Sequence, residues 1–124
     1  MRTIYFWILS LSFILFTTLN VSGEMVKITD RNIDIYGYSD QLIAGDIITI
    51  YDSDNVLCGK FEVTDAGRYG VIHIYGDDLT SPEIDEGPVS GDILFIYLNG
   101  TKVEPNNIDE LVWTRNGDLI QVDF

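Results

Sequence analysis

Tyr69-Gly70-Val71-Ile72-His73-Ile74-Tyr75 and Asp92-Ile93-Leu94-Phe95-Ile96-Tyr97 bracket the stretch on which the reading of this chain turns. Both segments are short and rich in β-branched and aromatic residues, the composition of strands. Between them, residues 76–91 carry Asp77, Asp78, Glu83, Asp85 and Glu86 and neither Lys nor Arg. A connection this long, with no helical or strand pattern of its own, is more often functional than idle in a compact domain. Like charges at that density repel unless water, salt or a cation screens them. Ca²⁺ takes roughly six to eight oxygen ligands, and carboxylates on an irregular loop suit it. Asp77, Asp78, Asp85 and Glu86 are the candidate ligands; the competing reading is a solvated acidic rim.

The strand pattern continues in both directions. Met25–Thr29 and Asn32–Tyr36 alternate apolar and polar residues, with Ile33 and Ile35 on one side. Ile47–Tyr51 is apolar on both faces, as a central strand of a two-layer fold would be. Val56–Thr64 reads as its returning strand, and Gly59 within it marks a bulge or a close approach. Asn99-Gly100 is a strong hairpin signal, because both residues tolerate positive φ. Asn116-Gly117 forms a second tight turn between strand-like Asp109–Thr114 and Leu119–Phe124. No window has a helical period with caps. The predicted fold is all-β, a two-layer antiparallel β-sandwich of about 7–9 short strands. Its expected core holds Leu57, Phe61, Ile72, Ile74, Ile93 or Leu94, and Ile96. Gly45-Asp46-Ile47-Ile48-Thr49-Ile50-Tyr51 matches Gly91-Asp92-Ile93-Leu94-Phe95-Ile96-Tyr97 at five of seven positions. The two copies read as equivalent strands of two half-sandwiches.

The chain has 124 residues and a formal charge of −13. Such acidity excludes nucleic acid, whose phosphates need basic side chains, and docking on anionic lipid heads. Residues 1–23 have the form of a secretory signal peptide. Met1-Arg2 precedes a mostly apolar run from Ile4 to Leu19, and Val21-Ser22-Gly23 supplies small residues before Glu24. The expected product is a single secreted domain, residues 24–124, at the cell surface or in the medium, with no membrane insertion after cleavage. A domain of about 100 residues can bury a core without cross-links. One cysteine allows no internal disulfide, and the apolar surroundings of Cys58 suit a small buried hydrophobe.

Several short blocks carry a resemblance: Ala44-Gly45-Asp46, Leu57-Cys58-Gly59-Lys60-Phe61, Gly67-Arg68-Tyr69-Gly70, Tyr75-Gly76-Asp77-Asp78, Asp85-Glu86-Gly87, Gly91-Asp92 and Asn99-Gly100. Together they make the chain similar to a module repeated in large secreted and cell-surface proteins of bacteria and archaea. Those modules resemble Ig-like and carboxypeptidase-regulatory-type β-sandwiches. The similarity spans most of residues 33–124 and lies mainly in turn residues. It implies a fold and no catalytic residues. This chain departs from the usual setting by showing the module alone, without a partner domain.

The remaining constellations give no enzyme. Asp52-Ser53-Asp54 opens like an EF-hand loop, but Leu57 stands where the turn glycine belongs and Val63 where the closing glutamate belongs. His73, the single histidine, has no nucleophile motif and too few partners for zinc. Tyr36, Tyr38, Tyr69, Tyr75 and Trp113 could stack on sugars or fill the core. Asn99-Gly100-Thr101 is an N-glycosylation sequon on the hairpin. The expectation is a secreted, non-catalytic surface module for binding or adhesion, with Ca²⁺ as its one candidate cofactor. Its partner would be an extracellular protein or carbohydrate, or copies of itself. A carbohydrate-binding module and a filament-type subunit assembled by strand exchange are the alternatives.

Overall fold

In the computed structural model, residues 25–78 and 87–124 are described. They form eight strands: β1 (Asn32–Tyr38), β2 (Ile47–Tyr51), β3 (Leu57–Glu62), β4 (Arg68–Tyr75), β5 (Ile93–Leu98), β6 (Thr101–Val103), β7 (Leu111–Val112) and β8 (Leu119–Gln121). No helix forms among the described residues. One sheet has the order β4-β1-β8; the other runs β3-β2-β5-β6, with β7 pairing a further stretch of β5. The fold is thus all-β with two sheets around a common core, in keeping with a β-sandwich.

Alternation sets which side chains enter that core. Ile33 and Ile35 of β1, Ile48 and Ile50 of β2, Ile72 and Ile74 of β4, and Leu94 and Ile96 of β5 are all buried. Leu42, Cys58, Val63, Tyr69, Leu111, Trp113, Val122 and Phe124 lie in the same interior. Of the expected core, Leu57, Ile72, Ile74 and Ile96 are buried, and Leu94 rather than Ile93 faces inward. Phe61 is only partly buried and packs against the cluster. Trp113 donates its indole N–H to Ile74 O at 3.0 Å, and the Arg31 guanidinium lies 5.4 Å from its ring centre. Gly76 makes room for that ring: a Cβ there would meet Trp113 Cζ2 at 2.7 Å.

The two Gly-Asp copies are equivalent in their hydrogen bonds. Asp46 N donates to Ile43 O (3.2 Å), while Asp46 Oδ2 accepts from Ile43 N (3.0 Å). Asp92 N donates to Val89 O (3.0 Å), and Asp92 Oδ2 accepts from Val89 N (2.9 Å). Gly45 and Gly91 have φ of 96° and 97°, a region that favours glycine. Each turn is tied to the strand that returns beside it. Gly45 N and Val63 N bond Val63 O and Asp46 O; Gly91 N and Trp113 N bond Trp113 O and Asp92 O. The copies are not placed in separate layers, as the repeat had implied. β2 and β5 are antiparallel neighbours in one sheet, with Tyr51 opposite Phe95, Ile50 opposite Ile96 and Thr49 opposite Tyr97. That register is symmetric about the Ile50–Ile96 pair.

Three other expectations are corrected. Residues 25–29 form no strand; they are tied to the sheet through Thr29, whose hydroxyl donates to Gly76 O at 2.7 Å. The strand read at Asp109–Thr114 is limited to Leu111–Val112. The sheets are not wholly antiparallel, because β8 runs parallel to β1. The Arg115–Asp118 turn brings the chain back beside β1, and Asp34 N→Asp118 O and Val122 N→Tyr36 O bonds of 2.8 Å hold the pairing. Gly37 permits that approach, since a Cβ there would fall 1.8 Å from Val122 O.

Candidate functional site

The outer face of the three-stranded sheet carries the side chains that β1 and β4 do not bury. On β1 these are Asn32, Asp34, Tyr36 and Tyr38, and Tyr38 is more than half exposed. Across from them on β4 stand Tyr75, His73, Gly70 and Arg68, in register with Asn32, Asp34, Tyr36 and Tyr38. The ladder shifts between Ile35 and Tyr36: Ile35 pairs with Ile72 but Tyr36 with Gly70. Val71 is therefore an extra residue, a β-bulge, and its side chain is about half exposed.

The bulge decides the fate of the candidate sugar-stacking residues. Strict alternation along β4 would put Tyr69 on the same side as Val71, His73 and Tyr75. The inserted residue reverses the phase, and Tyr69 turns inward. Its hydroxyl donates to Val122 O at 2.5 Å, and burial pushes its phenol pKa up. Trp113 is buried as well. Tyr36, Tyr38 and Tyr75 remain on the outer side, so three of the five candidates share a face.

A cleft of about 370 Å³ opens there. Tyr36, Tyr38, Phe61, Thr64, Arg68 and Gly70 line it, together with Val71. Gly70 shapes its floor, because a Cβ at that position would lie 2.6 Å from Tyr36 Cβ. At the rim, Arg68 Nη2 pairs with Asp65 Oδ2 at 3.0 Å, with both side chains well exposed. The cleft therefore joins aromatic surface to a hydroxyl, a carboxylate and a guanidinium, the mixture by which small polar ligands are oriented. Sequence reasoning missed Phe61, Thr64, Arg68, Gly70 and Val71. The signal for them was weak, because β3 and the turn after it meet β1 only through the fold.

Further along the same face Asp34 is a hydrogen-bond hub. Its Oδ1 accepts from Asn32 Nδ2 at 2.7 Å and from His73 Nδ1 at 2.5 Å. The His73 and Tyr75 rings are 6.2 Å apart. His73 meets no nucleophile in this network.

The acidic connection is described only in part. Asp77 follows β4, and its N–H donates to Pro88 O at 2.8 Å; Asp78 comes next. Asp85 and Glu86 lie outside the described residues. Among the described residues no three His, Cys, Asp or Glu side chains stand together in a group able to hold a metal ion.

The sequon asparagine is engaged. Asn99, at φ 49°, donates from Nδ2 to Asp46 Oδ1 at 3.0 Å and accepts at Oδ1 from Ile47 N at 2.8 Å. A glycan would occupy the nitrogen that ties the hairpin to the first Gly-Asp turn. Hydrogen bonds from Ile43 and Asn99 hold the Asp46 carboxyl below its ordinary pKa. Cys58 is buried, and desolvation with the nearby Asp52 charge raises its thiol pKa, which suits an inert core residue. Asp52 is buried too. Its Oδ1 accepts from Asp54 N and Val56 N, while Oδ2 has no partner.

No known protein family matches the chain, and no curated protein or solved structure is significantly similar to it.

Proposed function

We propose that the protein is a secreted, non-catalytic module of Ig-like β-sandwich type that binds carbohydrate at a cell surface or in the medium. The observation that carries this reading is the cleft beside Tyr36 and Tyr38. A pyranose presents an apolar C–H face and a rim of hydroxyls. The tyrosine rings suit the first, and Thr64 with the Asp65–Arg68 pair suits the second. The negative charge of the chain favours neutral over anionic sugars.

Affinity electrophoresis through gels containing soluble neutral glucans, xylans or mannans tests the proposal, followed by calorimetry with the matching hexasaccharides. At least one polysaccharide should retard the protein. Tyr36→Ala and Tyr38→Ala should each weaken binding about tenfold or more, roughly 1.4 kcal/mol, with circular dichroism unchanged. No retardation by any polysaccharide, or equal retardation of the variants, would overturn it.

A further inference from the structure

The cleft beside Tyr36 and Tyr38 does not end at Val71. A second hollow, of about 210 Å³, begins there and runs past His73 and Tyr75, with Lys60, Val26 and Ile28 along its other side. Val71 lines both, with Gly70 on the first and Ile72 on the second. The two hollows meet at Val71, and end to end they flank β4 from Arg68 to Tyr75, a span of about 23 Å at strand rise. The far hollow repeats the chemistry of the near one. His73 and Tyr75 provide rings and Lys60 an ammonium group, while Asp34, outside the hollow, anchors the His73 ring.

Resting on the carbohydrate reading above, we infer that the ligand is an extended oligosaccharide lying along β4, held at two subsites. Tyr36 and Tyr38 form one, and His73 and Tyr75 form the other. The two hollows together are longer than a monosaccharide needs, and Val71, turned outward by the bulge, borders both. An extended peptide would bind instead by adding a strand to a free edge. On β4, Gly59 of β3 packs against the middle of that edge, where a Cβ would lie 3.2 Å from His73 O. Recognition in the hollows is left to side chains, which is how sugars are bound.

The test uses a ladder from mono- to hexasaccharide of whichever sugar the hexasaccharide screen selects. Affinity should rise at least tenfold from the disaccharide to the hexasaccharide. The double variant His73→Ala/Tyr75→Ala should remove that rise, whereas Tyr38→Ala should weaken every member of the ladder. Equal affinity along the ladder, or a rise that survives His73→Ala/Tyr75→Ala, would overturn the two-subsite inference and leave carbohydrate binding standing. If no hexasaccharide binds, or an extended basic peptide binds in its place, both readings fall together.

Discussion

Ile50 and Ile96 face each other at the centre of the β2–β5 ladder, both essentially inaccessible to water. Each occupies the same position in one copy of the Gly-Asp-strand repeat. If the repeat is structural, the two residues support the core equally. Truncating a fully buried Ile to Ala costs about 2–5 kcal/mol through lost transfer energy and the cavity left behind. Ile50→Ala and Ile96→Ala should fall in that range and agree within about 0.5 kcal/mol, the usual scatter of such measurements. A domain of this size has about 5–15 kcal/mol in total, so both single variants should fold. The milder pair Ile50→Val and Ile96→Val, at about 0.5–1.5 kcal/mol each, is suited to a double-mutant cycle. Facing side chains share one packing site, so their losses should depart from additivity. Urea denaturation followed by circular dichroism measures all of these, with the slope checked for constancy across variants. One Ala variant costing more than 3 kcal/mol while the other costs less than 1 (a split outside the range above) would refute the equivalence of the two strands.

Two further outcomes follow from buried polar groups. Burial raises the pKa of Asp52, and a carboxyl raised in the fold contributes stability below its unfolded pKa that is lost as pH rises through the folded value. Asp52→Asn keeps the oxygen that accepts from Asp54 and Val56, so relative to the parent it should gain in melting temperature between pH 3 and pH 7; a pH-independent difference would contradict this. Tyr69→Phe leaves Val122 O without its buried donor and should cost about 1–3 kcal/mol, readable in the same urea titration.

Much of the architecture was legible in the sequence. Alternating isoleucines, Asn99-Gly100 and the paired Gly-Asp turns are local signals, and each acts through backbone geometry within a few residues. They determined an all-β chain, most of its strands and most of its core. The assignment of faces was legible only where alternation ran unbroken, as at Tyr36 and Tyr38. At β4 the bulge at Val71 reversed the phase, and a bulge belongs to a pair of strands rather than to one. Tyr69 therefore turned inward against Val122, a partner far along the chain. The parallel return of β8 and the adjacency of the two repeated strands are likewise products of long-range pairing, and the cleft beside Tyr36 and Tyr38 forms where β3 and β4, strands of different sheets, pack together. No short stretch of sequence contains both sides of such contacts, so only the tertiary structure decided that Tyr36, Phe61, Arg68 and Val71 would border one cleft.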